Sequence, residues 1–265
     1  MTRRLLCEGD DRGPAAPVIR AILRGLPVVV EPRGSRGAFG PAVARDPAAR
    51  ALRDGDFPDD PAGWRPCAGV GHWDEAGVRL GWRWRRKEIE NYLVDPEVLT
   101  RTFGWDAERR IAYDALLREA LAACAERTAA RMALLQLVPR FERPVVRRFD
   151  PTLAGAELEE ELRRRHRRTT QAASRSEEEL VARFRELRSL CLPGGPCHHP
   201  WVMAGKDLAG AFARLRGVRG TFPELLDTGK LGDSVIAALH RAEGPHRWLP
   251  EWEALRAEVE GWVGR

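Results

Sequence analysis

Four carboxylates of this chain, Glu8, Asp54, Asp56 and Glu90, each follow a segment that reads as a β-strand. In open α/β sheets the carboxyl ends of the strands converge on one crevice, and ligands bind there. Carboxylates gathered in such a crevice repel one another unless a cation lies between them. Hard oxygen ligands of this kind select Mg²⁺ or Mn²⁺. A divalent ion held that way can activate water and stabilise the leaving oxygen of a phosphodiester. Gly9 and Gly55 let the backbone turn tightly beside the ligands. Lys206, in a Gly-Lys turn opening a helix, supplies a point charge that can face a pentacovalent phosphate, as oxyanion stabilisers do.

The elements that must position these groups are legible in the hydrophobic pattern. RRLLC, residues 3–7, reads as a short strand ending in Glu8-Gly9-Asp10-Asp11. Residues 14–25 suit a helix, with Val18, Ile22 and Leu26 at intervals of four. PVVVE, residues 27–31, reads as a buried parallel strand, and Pro32 to Pro41 as a Gly- and Arg-rich loop. Residues 50–60, RALRDGDFPDD, look like a strand entering a turn, and GWRWR, residues 81–85, alternates as a strand with Trp82 and Trp84 on one face. After Asp95-Pro96 the pattern becomes helical. Leu117, Leu121, Cys124, Thr128, Met132 and Leu135 predict one long amphipathic helix. Helices follow at about 155–171 and from Ser176, where Ser176 and Glu179 form a capping box. WVMAGKDLAGAFARL, from residue 201, reads as a short strand, a glycine turn and a helix, and two more helices are expected at about 232–242 and 250–263. The predicted organisation is an α/β core begun by residues 1–94, a helical insertion over 95–198, and completion of the core plus C-terminal helices over 199–265.

Composition is ordinary for a globular protein, with 43% apolar and 31% charged residues. No apolar run approaches the roughly 18–20 residues of a membrane span, and MTRRLLCEGDD turns acidic too soon for a signal peptide. These features predict a cytoplasmic protein with no membrane partner. The five cysteines are odd in number and irregularly spaced, which fits reduced thiols. A net charge of +5 weakly favours a polyanionic partner. Only Lys87, Lys206 and Lys230 among the 44 basic residues are lysines. Arginine abundance therefore reads as compositional bias, whereas each compact ammonium marks a position to inspect.

LLCEGDD, RDGDFP, EIENYL and AGKDL resemble, in that order, the motifs of TOPRIM nucleases. The closest resemblance is to the OLD-family nucleases and to stand-alone TOPRIM effectors that accompany ATPases in phage defence. It covers residues 2–94 and 199–215. It implies a TOPRIM-type α/β fold, a parallel sheet flanked by helices, and a metal-dependent endonuclease acting on RNA, tRNA or DNA through two Mg²⁺ or Mn²⁺ ions. It assigns Glu8, Asp54 and Asp56 as metal ligands and Glu90 as a ligand or water-orienting base, adds Asp11 for the second metal, and gives Lys206 the role of charge stabiliser. A toxic defence effector activated by a partner ATPase, in some cases as a homo-oligomer, is the expected biology. No P-loop occurs, so ATP sensing requires another chain. One departure from the pattern is that RALRD carries arginines where an apolar strand is expected.

Other readings compete. Asp54 and Asp56 beside Pro58, Asp59 and Asp60 also suit a polar surface turn, and Glu8 suits a helix-start acid. Glu88 reads as a solvated partner of neighbouring arginines. Arg163, Arg164, Arg165, Arg167 and Arg168 form either a phosphate-tracking nucleic-acid face or a solvated helix neutralised by Glu159, Glu160 and Glu161. Cys191, Cys197, His198 and His199 miss the usual zinc-ligand spacing; His199 is placed near the active site. Trp248 and Trp252 fit a packing stripe. A catalytically silent binding module on the same core is the rival function, and a phosphoacceptor signalling domain a second.

Overall fold

The structure, a computed structural model, describes residues 2–34, 36–75, 77–137, 149–169, 176–215 and 218–264. Among the described residues five strands form one sheet: β1 (Arg3–Cys7), β2 (Val28–Pro32), β3 (Ala49–Arg53), β4 (Gly71–Glu75) and β5 (Val78–Arg83), in the order β2-β1-β3-β5-β4. All pairings are parallel except β4 with β5. Side chains alternate across a strand, and β1 divides accordingly. Leu5 and Cys7 enter the larger core, whereas Leu6 joins a smaller cluster with Phe39, Val43, Ala51, Trp73 and Leu80. Both faces are therefore covered, as parallel sheets require. Helix α1 (Ala15–Ile22) covers the first face and α2 (Phe39–Arg45) the second.

Three short segments differ from the sequence reading. The expected loop over 32–41 already contains the start of α2, preceded by a 3-10 turn at Arg36–Ala38. GHWDE forms edge strand β4, whose bulge between Trp73 and Asp74 reflects its irregular pattern. Residues 201–203 form a turn rather than a strand. Their apolar character serves burial, with Val202 and Met203 in the larger core.

The arginines of RALRD are accommodated by aromatic cover. The Arg53 guanidinium lies 5.0 Å from the Trp73 ring centre, and Arg50 lies 5.9 Å from that of Trp262. Such stacking keeps the cation in contact with a π-face while the aliphatic stem fills space. β3 is thereby a true interior strand despite its charges.

Beyond β5 the chain is helical: α3 (Glu90–Leu93), α4 (Pro96–Phe103), α5 (Ala107–Leu137), α6 (Gly155–Thr169), α7 (Glu177–Cys191), α8 (Gly205–Phe212), α9 (Val218–Thr221), α10 (Thr228–Arg241) and α11 (Pro250–Val263). The 31 residues of α5 span about 46 Å. Of its expected stripe, Leu117 through Met132 is buried, but Leu135 is 42% exposed, because the stripe drifts around the helix at its C-terminal end. The capping box of Ser176 with Glu179 is present. Asp95 caps α4, accepting from the backbone N–H groups of Glu97 and Val98. Residues of the sheet and of the helices from α3 onward share one continuous hydrophobic core. Trp248 stacks on Trp252 with ring centres 6.4 Å apart. Among the described residues no helix is long and apolar enough to cross a membrane. All five cysteines are free thiols, and Cys67 alone is exposed.

Candidate active site at the switch point of the sheet

β1 is flanked by β2 on one side and β3 on the other; the chain leaves β1 toward β2 and leaves β3 toward β4 and β5, in opposite directions, so a crevice opens between the ends of β1 and β3. Glu8 and Asp54 are the first residues beyond those two ends. Gly9, with φ of 104°, continues into a bridge with Gly34, each N–H donating to the other's carbonyl at 3.0 and 2.7 Å. That bridge fixes the backbone on which Glu8 rides. Gly55 donates its N–H to the Arg86 carbonyl at 3.0 Å. A Cβ there would run into the carbonyls of Trp84 and Arg86. Only glycine lets the backbone following Asp54 lie this close to the segment leading to Glu90.

Glu90 opens α3 and is nearly buried. Asn91 beside it accepts from the Glu88 N–H at 2.8 Å and donates to the carbonyls of Pro200 and Met203. This side chain ties α3 to the turn before α8. Gly205 starts α8 against α3, where a Cβ would collide with the Asn91 nitrogen and Glu90 itself. The close approach sets Lys206 Nζ 3.0 Å from Glu90 Oε1. A cation in the first turn opposes the helix dipole; Glu90 offsets that cost. Asp207 is held by Arg131 at 2.8 Å.

The electrostatics show which carboxylates converge. The Asp54 carboxyl is pushed well above the usual range, first by burial and then by the charges of Glu8, Glu90 and Glu88. Four carboxylates thus share one neighbourhood. Glu88, expected to be solvated, is instead turned inward: its Oε2 is buried without a hydrogen-bond partner among the described residues, and Oε1 lies 3.7 Å from Lys87 Nζ. Lys87 is the second residue that the sequence reading left out of the site. Its backbone N–H donates to the Trp201 carbonyl at 2.8 Å. Its ammonium sits 4.1 Å from the Phe57 ring centre. Burial lowers its pKa, while Glu88, Asp56 and Asp54 favour the charged form. The signal available in the sequence was rarity: two of the three lysines stand at this cluster.

Asp56 and Asp11 are placed differently. Asp56 is exposed, reaches Arg53 at 3.6 Å, and lines a 260 Å³ pocket with Phe57, Trp64 and Arg85. Glu90 and Lys206 line a separate 400 Å³ pocket with Arg12 and Asp233. Asp11 is exposed in the turn after Gly9. Among the described residues no three His, Cys, Asp or Glu side chains form a ready-made metal cage. The donor set nevertheless fits a hard divalent cation. It offers an orphaned buried carboxylate oxygen on Glu88 and, on Asp54, a carboxyl pressed by three like charges. A cation in that position would relieve both.

The remaining sequence candidates resolve structurally. Arg163 pairs with Glu159 at 3.8 Å, Arg165 with Glu161 at 2.8 Å and Arg167 with Glu160 at 2.6 Å, and Arg164 also pairs with Glu161. Arg168 is exposed at the end of the run. Arg165 also covers the Phe149 ring at 3.9 Å. His199 packs between Trp64 and Trp201, with ring centres 5.3 Å away in each case. Burial, aided by Arg86, lowers its pKa to about 4, so it stays neutral in ordinary conditions. Cys191 and Cys197 are buried. His198 Nδ1 lies 2.8 Å from the Cys191 carbonyl, which is a loop-closing contact. No family model matches the chain, and no curated protein matches it either.

Proposed function

We propose that the protein is a metal-dependent nuclease of TOPRIM type that hydrolyses phosphodiesters of RNA or DNA. The observation that carries this reading is the placement of Glu8 and Asp54 at the adjoining ends of β1 and β3, with Lys206 3.0 Å from Glu90 beside them. Glu8, Asp54 and Glu90, with Glu88 as an added donor, would hold Mg²⁺ or Mn²⁺. Bound there, the metal would supply an activated water and stabilise the leaving oxygen.

The chain's own residues supply the rest. Lys206 keeps its head half-exposed, with 53% of the side chain accessible. It can therefore exchange its contact with Glu90 for a phosphate oxygen and meet charge that develops there. Glu90 holds the ammonium at the mouth of the pocket until then. Lys87, fixed against Phe57, balances Asp54 and Glu88 from the interior and keeps the crowded carboxylates tolerable. Asp56 belongs to the outer wall, where Arg53 restrains it.

The wider reading is that of a toxic effector in anti-phage defence. The ordered motifs of the resemblance support it, and they bring a partner ATPase with them. Purified protein incubated with labelled tRNA, single-stranded RNA and plasmid DNA in Mg²⁺, Mn²⁺ or EDTA tests the nuclease. The expected result is metal-dependent cutting abolished in Glu8→Ala and strongly reduced in Lys206→Ala. A protein that neither cuts nor binds Mn²⁺ would instead be a binding module with a silent site. Loss of Mn²⁺ binding in Glu8→Ala without wild-type cutting would indicate an enzyme awaiting its partner.

A further inference from the structure

Lys206 lines two pockets. On one side is the 400 Å³ pocket containing Glu90. On the other is a 150 Å³ pocket walled by Arg127, Phe149, Asp207, Gly210 and Arg214. Lys206, Gly210 and Arg214 fall four residues apart, which places them along one edge of α8 and its C-terminal turn. Gly210 contributes no side chain, and the Arg214 guanidinium lies over it. The volume is below the 300–1,000 Å³ typical of small-molecule sites and suits a single phosphate group.

The chemistry of the walls is specific. Arg127 is 8% exposed. Among the described residues its guanidinium donates to the Pro151 carbonyl at 2.9 Å and approaches Cys124 Sγ at 3.8 Å; neither acceptor carries a charge. A buried cation is costly without an anion. Two carboxylates lie nearby, and Asp150, outside the pocket, feels the charges of Arg127 and Arg214 without bonding to Arg127. Asp207 is bound by Arg131 at 2.8 Å. Asp150 is exposed and accepts from the Thr152 N–H and hydroxyl at 2.9 and 2.6 Å. Arg214 is exposed at the pocket rim. A fork of guanidinium donors on one side and an exposed guanidinium on the other match the oxygens of a phosphate.

We propose that this pocket is a phosphate subsite, in which Arg127 and Arg214 hold a phosphate of a nucleic-acid strand adjacent to the one facing Lys206. The assignment rests on the nuclease reading above. The shared lysine gives the reason for a strand rather than a free anion. A ligand spanning both pockets must present negative charges in succession, which a phosphodiester chain does.

The test measures binding of a labelled single-stranded oligonucleotide to the full chain in EDTA, across a salt series, with Mn²⁺ binding followed in parallel. The variants are Arg127→Met, Arg214→Ala and, as control, Arg118→Ala, which is exposed on α5 and lines neither pocket. Arg214→Ala removes an exposed side chain and keeps the test valid if Arg127→Met folds poorly. Each pocket variant is expected to bind on the order of tenfold more weakly. Each should also lower the salt slope by about one unit, with Mn²⁺ binding intact and Arg118→Ala unchanged. Unaltered affinity and slope in Arg214→Ala, with Mn²⁺ binding intact, would overturn the subsite and leave the nuclease reading standing. Inorganic phosphate competing as strongly as the strand would overturn the strand assignment. Failure of the wild type to bind either oligonucleotide or Mn²⁺ would remove both.

Discussion

At the scale of single residues, Asp54 couples the site to pH. Its carboxyl is raised by burial and by Glu8, Glu90 and Glu88, so above the ordinary carboxylate range the folded protein binds more protons there than the unfolded chain. Stability then falls as pH rises through that window in the absence of metal. Asp54→Asn should raise the Tm of the metal-free protein at neutral pH and flatten this dependence, which thermal scans in EDTA across pH would read. A divalent cation must displace the same proton. Calorimetry of Mn²⁺ binding in buffers of different ionisation enthalpy should therefore show proton release in the wild type and no binding in Asp54→Asn. An Asp54→Asn variant less stable than wild type would contradict the crowding of charge described above. Glu8, Asp54, Glu90 and Lys206 could be picked out in the sequence because the acids follow strand-like runs and the lysine opens a helix after a turn. Glu88 and Lys87 could not. In RRKEIEN, charge follows charge, and nothing in the string distinguishes an inward-facing pair from a solvated one. What turns them inward is tertiary: the Lys87 N–H is fixed on the Trp201 carbonyl and the Glu88 N–H on the Asn91 side chain.

At the scale of elements, two glycines set distances that the candidate-site side chains inherit. Gly205 lets α8 abut α3. Replacing it with alanine should cost about 1–3 kcal/mol, the usual penalty for overpacking. The substitution also moves Lys206 relative to Glu90. The expected signature in Gly205→Ala is a lower denaturation midpoint together with loss of cleavage larger than the stability loss alone explains. Unchanged cleavage would show that the spacing of α3 and α8 is not critical. Gly81 does the equivalent in the sheet: φ is 151°, and a Cβ would strike the Ala51 backbone across the β3–β5 pairing. The strands carrying the site were readable from short apolar runs. β4 was not, because GHWDE buries Trp73 while leaving its acids exposed, and an edge strand needs little hydrophobic character. Helix α2 was hidden by Gly40 and Pro41 near its start, where proline is tolerated since the first-turn N–H groups lack partners in any case. The turn at 201–203 misled in the opposite direction. Three apolar residues in a row resemble a strand, but here they line the core without a sheet neighbour.

At the scale of the whole molecule, a buried charge network joins the C-terminal helix to the site-bearing segment. Arg86 is 3% exposed, and its Nε donates to Glu251 at 2.7 Å. Its Nη1 donates to Asp95 at 2.5 Å. Tyr92 completes the cluster through its hydroxyl, which donates to Glu251 at 3.0 Å. The guanidinium also lies between the rings of Tyr92 and Trp201, 4.4 and 4.7 Å from their centres. Removing one member of a buried ion pair leaves the other uncompensated and costs about 3–5 kcal/mol. Glu251→Leu should therefore destabilise by that amount in urea titration, whereas Arg86→Met combined with Glu251→Leu should recover part of it. Equal losses in the single and double variants would mean that the network contributes through packing alone. Sequence periodicity could separate sheet from helices but not show that they share one core, since that depends on contacts between residues 165 positions apart.

The distribution of thiols gives this molecule a built-in chemical handle. Four of the five cysteines lie within the core, and Cys67 alone meets solvent, in the loop between β3 and β4. A maleimide dye applied to the native protein would attach at that single position without any engineered substitution. The attachment point lies outside the pockets that contain Glu90, Lys206 and Arg127, so a label could report on docking of a strand or a partner while leaving the carboxylate crevice chemically untouched.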